Sequence, residues 1–518
     1  MEYICRTGVS TDLKKIGALL LPILIDAQNK PIAGIVPGFF SAVDEKCITT
    51  SLTKRRLRSG QLITVKLEGQ DRSCVLSIEG RWSPRVLVLV SRRFIRMAKQ
   101  ERWPSLSVEC RGMAKILRTP ITKVAAIIAE NVLLAEYDFS EQYKTPPAEG
   151  WFAIQDIALV IGRAHLGACK DAVREARIVA ESVNRCRTLA NYPPSDLKPE
   201  GMAEAARDIA REFSEVKVTV FDEQRLRQEG MNAILAVGQG SASPPRLIML
   251  EYSGFPTEKT KKARTTPVQL ALIGKGVTFD SGGLNLKPGE HMADMHMDMS
   301  GGAAVLYAMR AIAALKLKIN VIGLVPAVEN MPSGLSYRQG DIIRAYGGKT
   351  IEIGNTDAEG RVILADAIEY AKTKKPVLIA EISTLTGAAE VALGQRAAAL
   401  FVKNNKPLSD VLQQLGEETG DRLWPLPLWD EHERDVEGNL ADVTNTHKNG
   451  SRWGGAITGA AFLSVFAGEA PFVHIDMAPR MLTLPEEEQL SRGASGFGVR
   501  LFVELARQFD ATRRTLTK

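Results

Sequence analysis

The sequence predicts an α/β protein of two domains. A smaller N-terminal α/β domain precedes a larger α/β domain with a largely parallel central sheet covered by helices on both faces. Three observations carry this reading. At 518 residues the chain is longer than one hydrophobic core usually serves. Its later part alternates near-continuous apolar runs with helical patterns, as strands buried on both faces do. Between the parts, DAVREARIVAESVNRCRTLA at 171–190 spaces apolar residues three and four apart and is stopped by Asn191, Pro193 and Pro194. The expected boundaries are an N-terminal domain at 1–165, with an oligomeric or regulatory role, a connecting helix at 166–192 and the second domain at 193–518.

Taken in order, the first domain offers short β-rich runs at Ile63–Leu67, Val86–Val90 and Ala125–Leu134, separated by turns and without visible chemistry. After the connector come a helix in Pro199–Phe213 and a strand in Val216–Phe221. Strands at Val268–Ile273, Ile319–Val325, Val377–Ile382 and Phe472–Ile475 follow, with helices after Gly302 and Gly360. Ligands of such sheets bind beyond the carboxyl ends of the strands.

Composition excludes several classes. With 45% apolar and 24% charged residues the chain is neither disordered, collagen-like nor a coiled coil. The longest apolar run, Ile16–Ile25, is about half of what a bilayer span needs. It follows Lys14 and Lys15 at signal-peptide length, but no small-residue cleavage site accompanies it. Cys5, Cys47, Cys74, Cys110, Cys169 and Cys186 show no close pairing, which points to reduced thiols and a cytoplasmic protein, and the shortness of its apolar runs to one with no membrane partner. The six histidines are scattered without HExxH spacing, so any metal must rely on oxygen ligands. Residues 1–150 carry 23 Lys and Arg against 15 Asp and Glu, although the whole chain is only +6. The excess concentrates at 54–99, in Lys54, Arg55, Arg56, Arg58, Arg92, Arg93 and Arg96. Nucleic acid is one reading of that stretch, and a solvated or salt-bridged face is the other.

Three segments place charge where a buried strand ends: GKGVTFDSGGLNLK at 274–287, MHMDMSGG at 295–302 and IGNTDAEGR at 353–361. Buried ionised groups cost several kcal/mol unless paired or metal-bound. If the strands are neighbours, Asp280, Asp298, Asp357 and Glu359 meet at one sheet edge. Divalent cations such as Mn²⁺, Zn²⁺ or Co²⁺ then resolve their repulsion.

The strings GKGVTFDSGG, NLK, MDMSGGAA and NTDAEGR resemble the leucine aminopeptidase, or cytosol aminopeptidase, family. The likeness runs from about Asn191 to Val503 and takes in ADVTN at 441–445, HIDMA at 474–478 and GASGFGVR at 493–500. NTDAEGR is the family's signature. The resemblance implies an aminopeptidase with two divalent metal ions per subunit, acting on short peptides with a free N-terminus and assembled as a homohexamer. It makes Lys275, Asp280, Asp298 and Glu359 the ligands of a tighter site, and Asp280, Asp357 and Glu359 those of an exchangeable one. Lys287 and Arg361 carry over as catalysts. The first would stabilise charge on the tetrahedral intermediate formed by attack of a metal-bridging hydroxide, and the second would hold bicarbonate as general base. Met295, Thr384, Gly387, Ala478 and Met481 would line the pocket for the first side chain, and the Leu385 carbonyl would hold the substrate amide. Two apolar methionines suit Leu or Met.

Plainer readings stand beside these: a phosphate-binding lysine for Lys275, a surface lysine for Lys287, a helix-end ion pair for Arg361 and ordinary core for each Met. Ser300 and Pro479 depart from the family's small residues. Rivals for the whole chain are an architectural DNA-binding protein and a two-metal phosphoesterase.

Overall fold

The computed structural model describes residues 1–6, 17–33, 40–67, 73–255 and 268–516, with residues 2–6 as backbone. Lys14, Lys15, Ile16 and the Cys5 side chain lie outside the described residues. The chain divides into two compact units. One comprises 1–181 together with 484–492, and the other comprises 182–483 with 493–518.

The first unit holds β1 (Glu2–Arg6), β2 (Ala18–Ile25), β3 (Pro31–Ala33), β4 (Gln61–Lys66), β5 (Ser73–Glu79), β6 (Ser105–Glu109) and β7 (Asp156–Val160). Among the described residues these form a seven-stranded sheet in the order β1-β7-β6-β2-β5-β4, with β3 beside β2. Pairing is parallel except where β4 meets β5 and β3 meets β2. The apolar run Ile16–Ile25 is largely β2, a buried central strand and no signal segment in this fold.

Two expected β-rich runs are helical instead. Val86–Val90 lies within the helix Pro84–Gln100, and Ala125–Leu134 within the helix Ile121–Glu136. In the first, Ser83 caps the Val86 amide and Pro84 occupies the opening turn. Leu87, Val90, Ser91, Phe94, Ile95 and Ala98 then follow a 3.6-residue period into the core. That period and cap outweigh the β preference of the valines. The second packs on the first with Val124, Ile128 and Val132 buried.

Much of the basic stretch is occupied internally. Arg92 is buried and bonds Asn131 and the Glu488 carbonyl, while Arg93 pairs with Glu79 at 3.0 Å and Lys99 with Glu141 at 3.6 Å. Lys54, Arg55, Arg56 and Arg58 are exposed.

In the second unit the strands are β8 (Val216–Phe221), β9 (Arg246–Ser253), β10 (Leu270–Gly274), β11 (Gly276–Asp280), β12 (Asn320–Asn330), β13 (Ile342–Arg344), β14 (Thr350–Glu352), β15 (Leu378–Ser383), β16 (Ala398–Val402), β17 (Leu423–Pro425), β18 (Val443–Thr444) and β19 (Phe472–Asp476). Among the described residues, nine of them make one sheet ordered β17-β16-β19-β15-β10-β12-β9-β8, with β11 also on β12. The centre is parallel, and antiparallel pairing enters at β16 with β19, β12 with β9 and β9 with β8. One face carries the helices Ser300–Ala314, Val499–Arg507 and Pro199–Glu212. The other carries Glu359–Thr373, Gly455–Ala467 and Asn232–Gly238. Alternation along β12 shows the two faces. Ile322 and Leu324 join the core under the second set, and Gly323 faces Met309 and Val305 of the first.

The sheet admits the helix Ser300–Ala314 closely because Gly274 ends β10. A Cβ at Gly274 would strike the Gly301 carbonyl and lie 2.8 Å from the Gly302 Cα. Both are backbone atoms and cannot swing aside. Gly274→Ala is expected to cost about 3 kcal/mol, seen as a lower urea midpoint with an unchanged m-value.

Candidate metal centre

The kink between β10 and β11 sets the site. Lys275 occupies it, its amide bonded to the Ile382 carbonyl of β15 and its own carbonyl accepting from Gly302. The chain then resumes as β11 beside the far part of β12, with Asp280 opposite Asn330. Parallel strands therefore end together, bringing Asp280 beside the turns that carry Asp298, Asp357 and Glu359.

These groups meet. The Lys275 ammonium, 3% exposed, lies 2.6 Å from Asp298 Oδ2 and 2.8 Å from Glu359 Oε1, and it donates to the Thr384 carbonyl at 3.1 Å. Lys287 Nζ lies 2.9 Å from Asp280 Oδ2 and 2.5 Å from Asp357 Oδ1. Carboxylate oxygens of Asp280, Asp357 and Glu359 lie within 4.8 Å of one another.

Glycines make the closeness tolerable. Gly282 and Gly283 turn the chain with φ of +87° and +63°, and a Cβ at Gly282 would stand 2.9 Å from Asp357 Oδ1. At Gly360 a Cβ would stand 2.8 Å from Lys275 Nζ.

Four buried or half-buried carboxylates face two ammonium groups, so negative charge is in excess. Burial pulls the Lys275 and Lys287 ammoniums down, but the surrounding carboxylates outweigh it and hold both above the ordinary lysine range. Burial raises the carboxyls of Asp298, Asp357 and Glu359. Repulsion from Asp280 adds to this, and the lysines offset it only in part. The donor set fits divalent cations. Oxygen ligands converge, Glu359 Oε2 is buried without a hydrogen-bond partner, and the charge imbalance is of the sign a cation corrects.

Neutral side chains hold the cluster, a role that the sequence alone does not reveal. Asn330 donates to Asp280 Oδ1 at 2.9 Å and to the Thr356 carbonyl at 3.0 Å, and Tyr337 donates to that same carbonyl at 2.8 Å. Thr356 and Asn285 bond reciprocally, clasping the NTD turn to the NLK segment. Asn445 accepts from the amides of Gly354 and Asn355 and donates to the Asn355 carbonyl. Thr356, Asn285 and Asn445 lie inside the NTDAEGR, NLK and ADVTN strings, but their hydrogen-bonding roles show only once their partners, far away in sequence, are known.

Arg361 lies in the first turn of the helix Glu359–Thr373, 8% exposed. Its Nη1 donates to the Asn445 carbonyl at 3.0 Å while Nε has no partner. Burial lowers its pKa, opposed by Glu359 and Asp476. A helix start with an unspent guanidinium donor suits a small anion.

The remaining expected residues fall on three turns. Thr384 is buried, and its hydroxyl donates to Asp298 Oδ1 at 2.6 Å, leaving only its methyl to line a pocket. Met295 opens the turn that delivers Asp298 and is half-buried. Leu385, Ala478 and Met481 are half-buried, and at Gly387 a Cβ would meet nothing within 4 Å. Of the two departures, Ser300 bonds the Met297 carbonyl at 2.6 Å, and Pro479 is buried in the turn Ala478–Arg480.

Comparison with known proteins agrees with this geometry. Residues 184–503 match the catalytic domain of the cytosol aminopeptidase family. The chain is 44% identical over 392 residues to a probable cytosol aminopeptidase of Syntrophotalea carbinolica, covering 75% of this chain and 76% of that one. It is 39% identical over 452 residues to one of Persephonella marina, covering 84% and 88%. The solved structure of the bottromycin maturation enzyme BotP superposes with a TM-score of 0.79 at 28% identity, covering 96% of this chain and 100% of that one. A second BotP structure, in complex with Mn, matches equally in TM-score and identity. The fold and site define a metal-dependent hydrolase. The chain belongs to the cytosol aminopeptidase family and is an aminopeptidase.

The raised carboxyls give a pH signature to the metal-free protein. The Asp298 carboxyl is pushed up to about 8 from an ordinary value near 4. Across that window the folded chain holds more protons than the unfolded one, so this contribution to stability falls as pH rises. Chelator-treated protein should therefore melt at a lower temperature at pH 8 than at pH 5, and added Mn²⁺ should raise the pH 8 value most. A melting temperature of the metal-free protein that rises over this range would contradict the charge excess.

Proposed function

We propose that this protein removes N-terminal residues, preferably Leu or other apolar ones, from short peptides by means of two divalent metal ions. The observation that carries the reading is the meeting of Asp280, Asp357 and Glu359 oxygens within 4.8 Å, beside Lys275, Asp298 and Lys287. A phosphate-binding loop or a DNA-binding surface gives no reason for that cluster.

Lys275, Asp280, Asp298 and Glu359 would hold one ion, and Asp280, Asp357 and Glu359 the other. Zn²⁺, Mn²⁺ or Co²⁺ suit such donors, and the Mn complex of BotP supports a divalent ion here. Bound ions would supply an acidified water as nucleophile, polarise the scissile carbonyl and take up a free α-amine. For Lys275 to serve as a ligand its proton must leave, and an adjacent dication is what would displace it.

The chain's own groups do the rest. Lys287 is placed to move its ammonium from Asp280 and Asp357 towards negative charge growing on the carbonyl oxygen. Arg361, with its free Nε, would hold a small anion, bicarbonate in the family, to accept the water's proton. The Leu385 carbonyl would orient the substrate amide. Half-buried Met295, Met481 and Ala478, with open space at Gly387, give an uncharged, adaptable pocket for the first side chain.

Cys47, Cys74, Cys110, Cys169 and Cys186 are free thiols, which supports a cytoplasmic setting. Among the described residues no helix is long and apolar enough to cross a membrane. Homohexameric assembly is part of the same proposal, supported by the resemblance to the family.

Hydrolysis of leucine amide by the purified protein tests the reading. Activity should vanish with chelator, return with Mn²⁺, Co²⁺ or Zn²⁺, and be absent from the Asp357→Ala/Glu359→Ala double variant. Lys287→Ala should lower kcat by about 10²–10³ with two metals still bound. A folded wild type that stays inactive with every metal would sink the proposal.

A further inference from the structure

We propose that Asp476 is a positioning residue for the substrate subsite, fixing the Leu385 carbonyl and the Ala478 wall relative to the cation-site residues. The inference rests on the aminopeptidase reading above and adds a residue that touches neither ions nor substrate.

Asp476 ends β19, opposite Ser383 of β15, and is fully buried. Its carboxylate takes four hydrogen bonds. Oδ1 accepts from the amides of Leu385 at 3.1 Å, Thr386 at 3.3 Å and Ala478 at 3.2 Å, and Oδ2 accepts the Thr386 hydroxyl at 2.6 Å. The carboxylate is thus met directly by hydrogen-bond donors, and it also acts electrostatically on Arg361, helping to keep that guanidinium charged. Thr386 passes the restraint on, because the oxygen that donates to Asp476 also accepts the Ala389 amide and caps the helix Gly387–Leu393. A Met477 amide bond to the Ser383 carbonyl at 2.7 Å completes the clasp.

One carboxylate therefore locks two chain turns. The first presents the Leu385 carbonyl and Gly387, and the second presents Ala478. One residue earlier, Thr384 is held independently, its carbonyl by Lys275 and its hydroxyl by Asp298. The segment 384–387 is fixed at one end by the cation-site residues and at the other by Asp476. Cutting the second tie leaves the first in place.

Beneath this clasp, Glu381 of β15 faces His474 of β19 in register, and their buried side chains share a hydrogen bond with Phe401 stacked on the imidazole. That pair and the β15 to β19 ladder keep the strands together without Asp476. Loss of Asp476 should loosen the turns and spare the sheet.

The test compares Asp476→Ala, Asp476→Asn and Thr386→Val in the metal-loaded full-length enzyme. Readouts are metal content per subunit, KM and kcat for leucine amide and alanine amide, and amide hydrogen exchange across 384–389 and 476–479. Asp476→Ala should keep wild-type metal content, raise KM for leucine amide about tenfold with a smaller fall in kcat, and narrow the preference for Leu over Ala. Exchange at Leu385, Thr386 and Ala478 should quicken. Asp476→Asn keeps the acceptor at Oδ1, and its KM should recover to within about threefold of wild type. Thr386→Val removes the hydroxyl tie to Asp476 together with the cap on the Ala389 amide, keeps the two bonds from the Leu385 and Ala478 amides, and should raise KM in the same sense but less, which preserves the test should Asp476→Ala fail to fold.

Asp366→Asn is the stability control. Asp366 is equally buried but accepts the Ile234 and Tyr346 amides elsewhere, so it should lower the melting temperature and leave KM alone. Wild-type KM and Leu/Ala preference in folded Asp476→Ala, or in Thr386→Val where Asp476→Ala does not fold, would overturn the proposal. Loss of metal in step with kcat would overturn it too, by making Asp476 part of the cation site. A wild type inactive with every metal would instead bring down the aminopeptidase reading on which the proposal stands.

Discussion

Four carboxylates and two ammonium groups share a space at the carboxyl edge of a parallel sheet, and much of the second unit is arranged to hold them there. Charges of one sign repel strongly where water is excluded, and two lysines cannot neutralise four acids. The cluster stays together because four of its carriers are tethered to something rigid: Lys275 in the kink between β10 and β11, Asp280 at the end of β11, Asp298 before one helix and Glu359 at the start of another. Gly274, Gly282 and Gly360 are consequences of the same constraint, since each sits where a methyl group would push a charged or backbone atom out of place.

Neutral polar residues supply the stiffness that the charges cannot. Asn330, Asn445, Thr356 and Asn285 bridge loops far apart in sequence, turning the NTD and NLK turns into one hydrogen-bonded body. Asp476 does the same for the turns at 384–387 and 478, with a buried carboxylate that accepts four bonds. A site that must discriminate one side chain from another needs walls as fixed as its reacting centre. Hydrogen bonds give that fixity because an unmade one inside a dry site is costly.

The two units differ in how much chemistry they expose. In the first, a mixed sheet and the helices packed on it absorb Arg92, Arg93 and Lys99 into internal bonds, so the basic stretch is less a continuous patch than its sequence suggests. Charge counted along a chain overstates charge on a surface wherever arginines reach back to carbonyls and carboxylates of their own unit.

The sequence by itself determined the α/β class and the strands β8, β10, β12, β15 and β19 to within a few residues at their starts; of the carboxylates it assigned to strand ends, Asp280 ends β11, whereas Asp298 follows the turn Met295–Met297 and Asp357 and Glu359 lie around the start of a helix. These follow from local rules: a buried parallel strand must be an unbroken apolar run, and a charge at its end needs a reason. The family motifs were equally legible because their chemistry is written in short, nearly contiguous strings. Only the tertiary structure decided that Val86–Val90 and Ala125–Leu134 are helices: in the first a Ser83 cap and a helical period compete with valine-rich composition, the second has no side-chain cap, and the packing of the two helices on each other settles both. It alone showed that the Thr384 hydroxyl serves Asp298 and that Asp476 clasps two turns. Those partners stand 86 and about 90 residues apart, and a hydrogen bond across such a gap leaves no trace in spacing or periodicity.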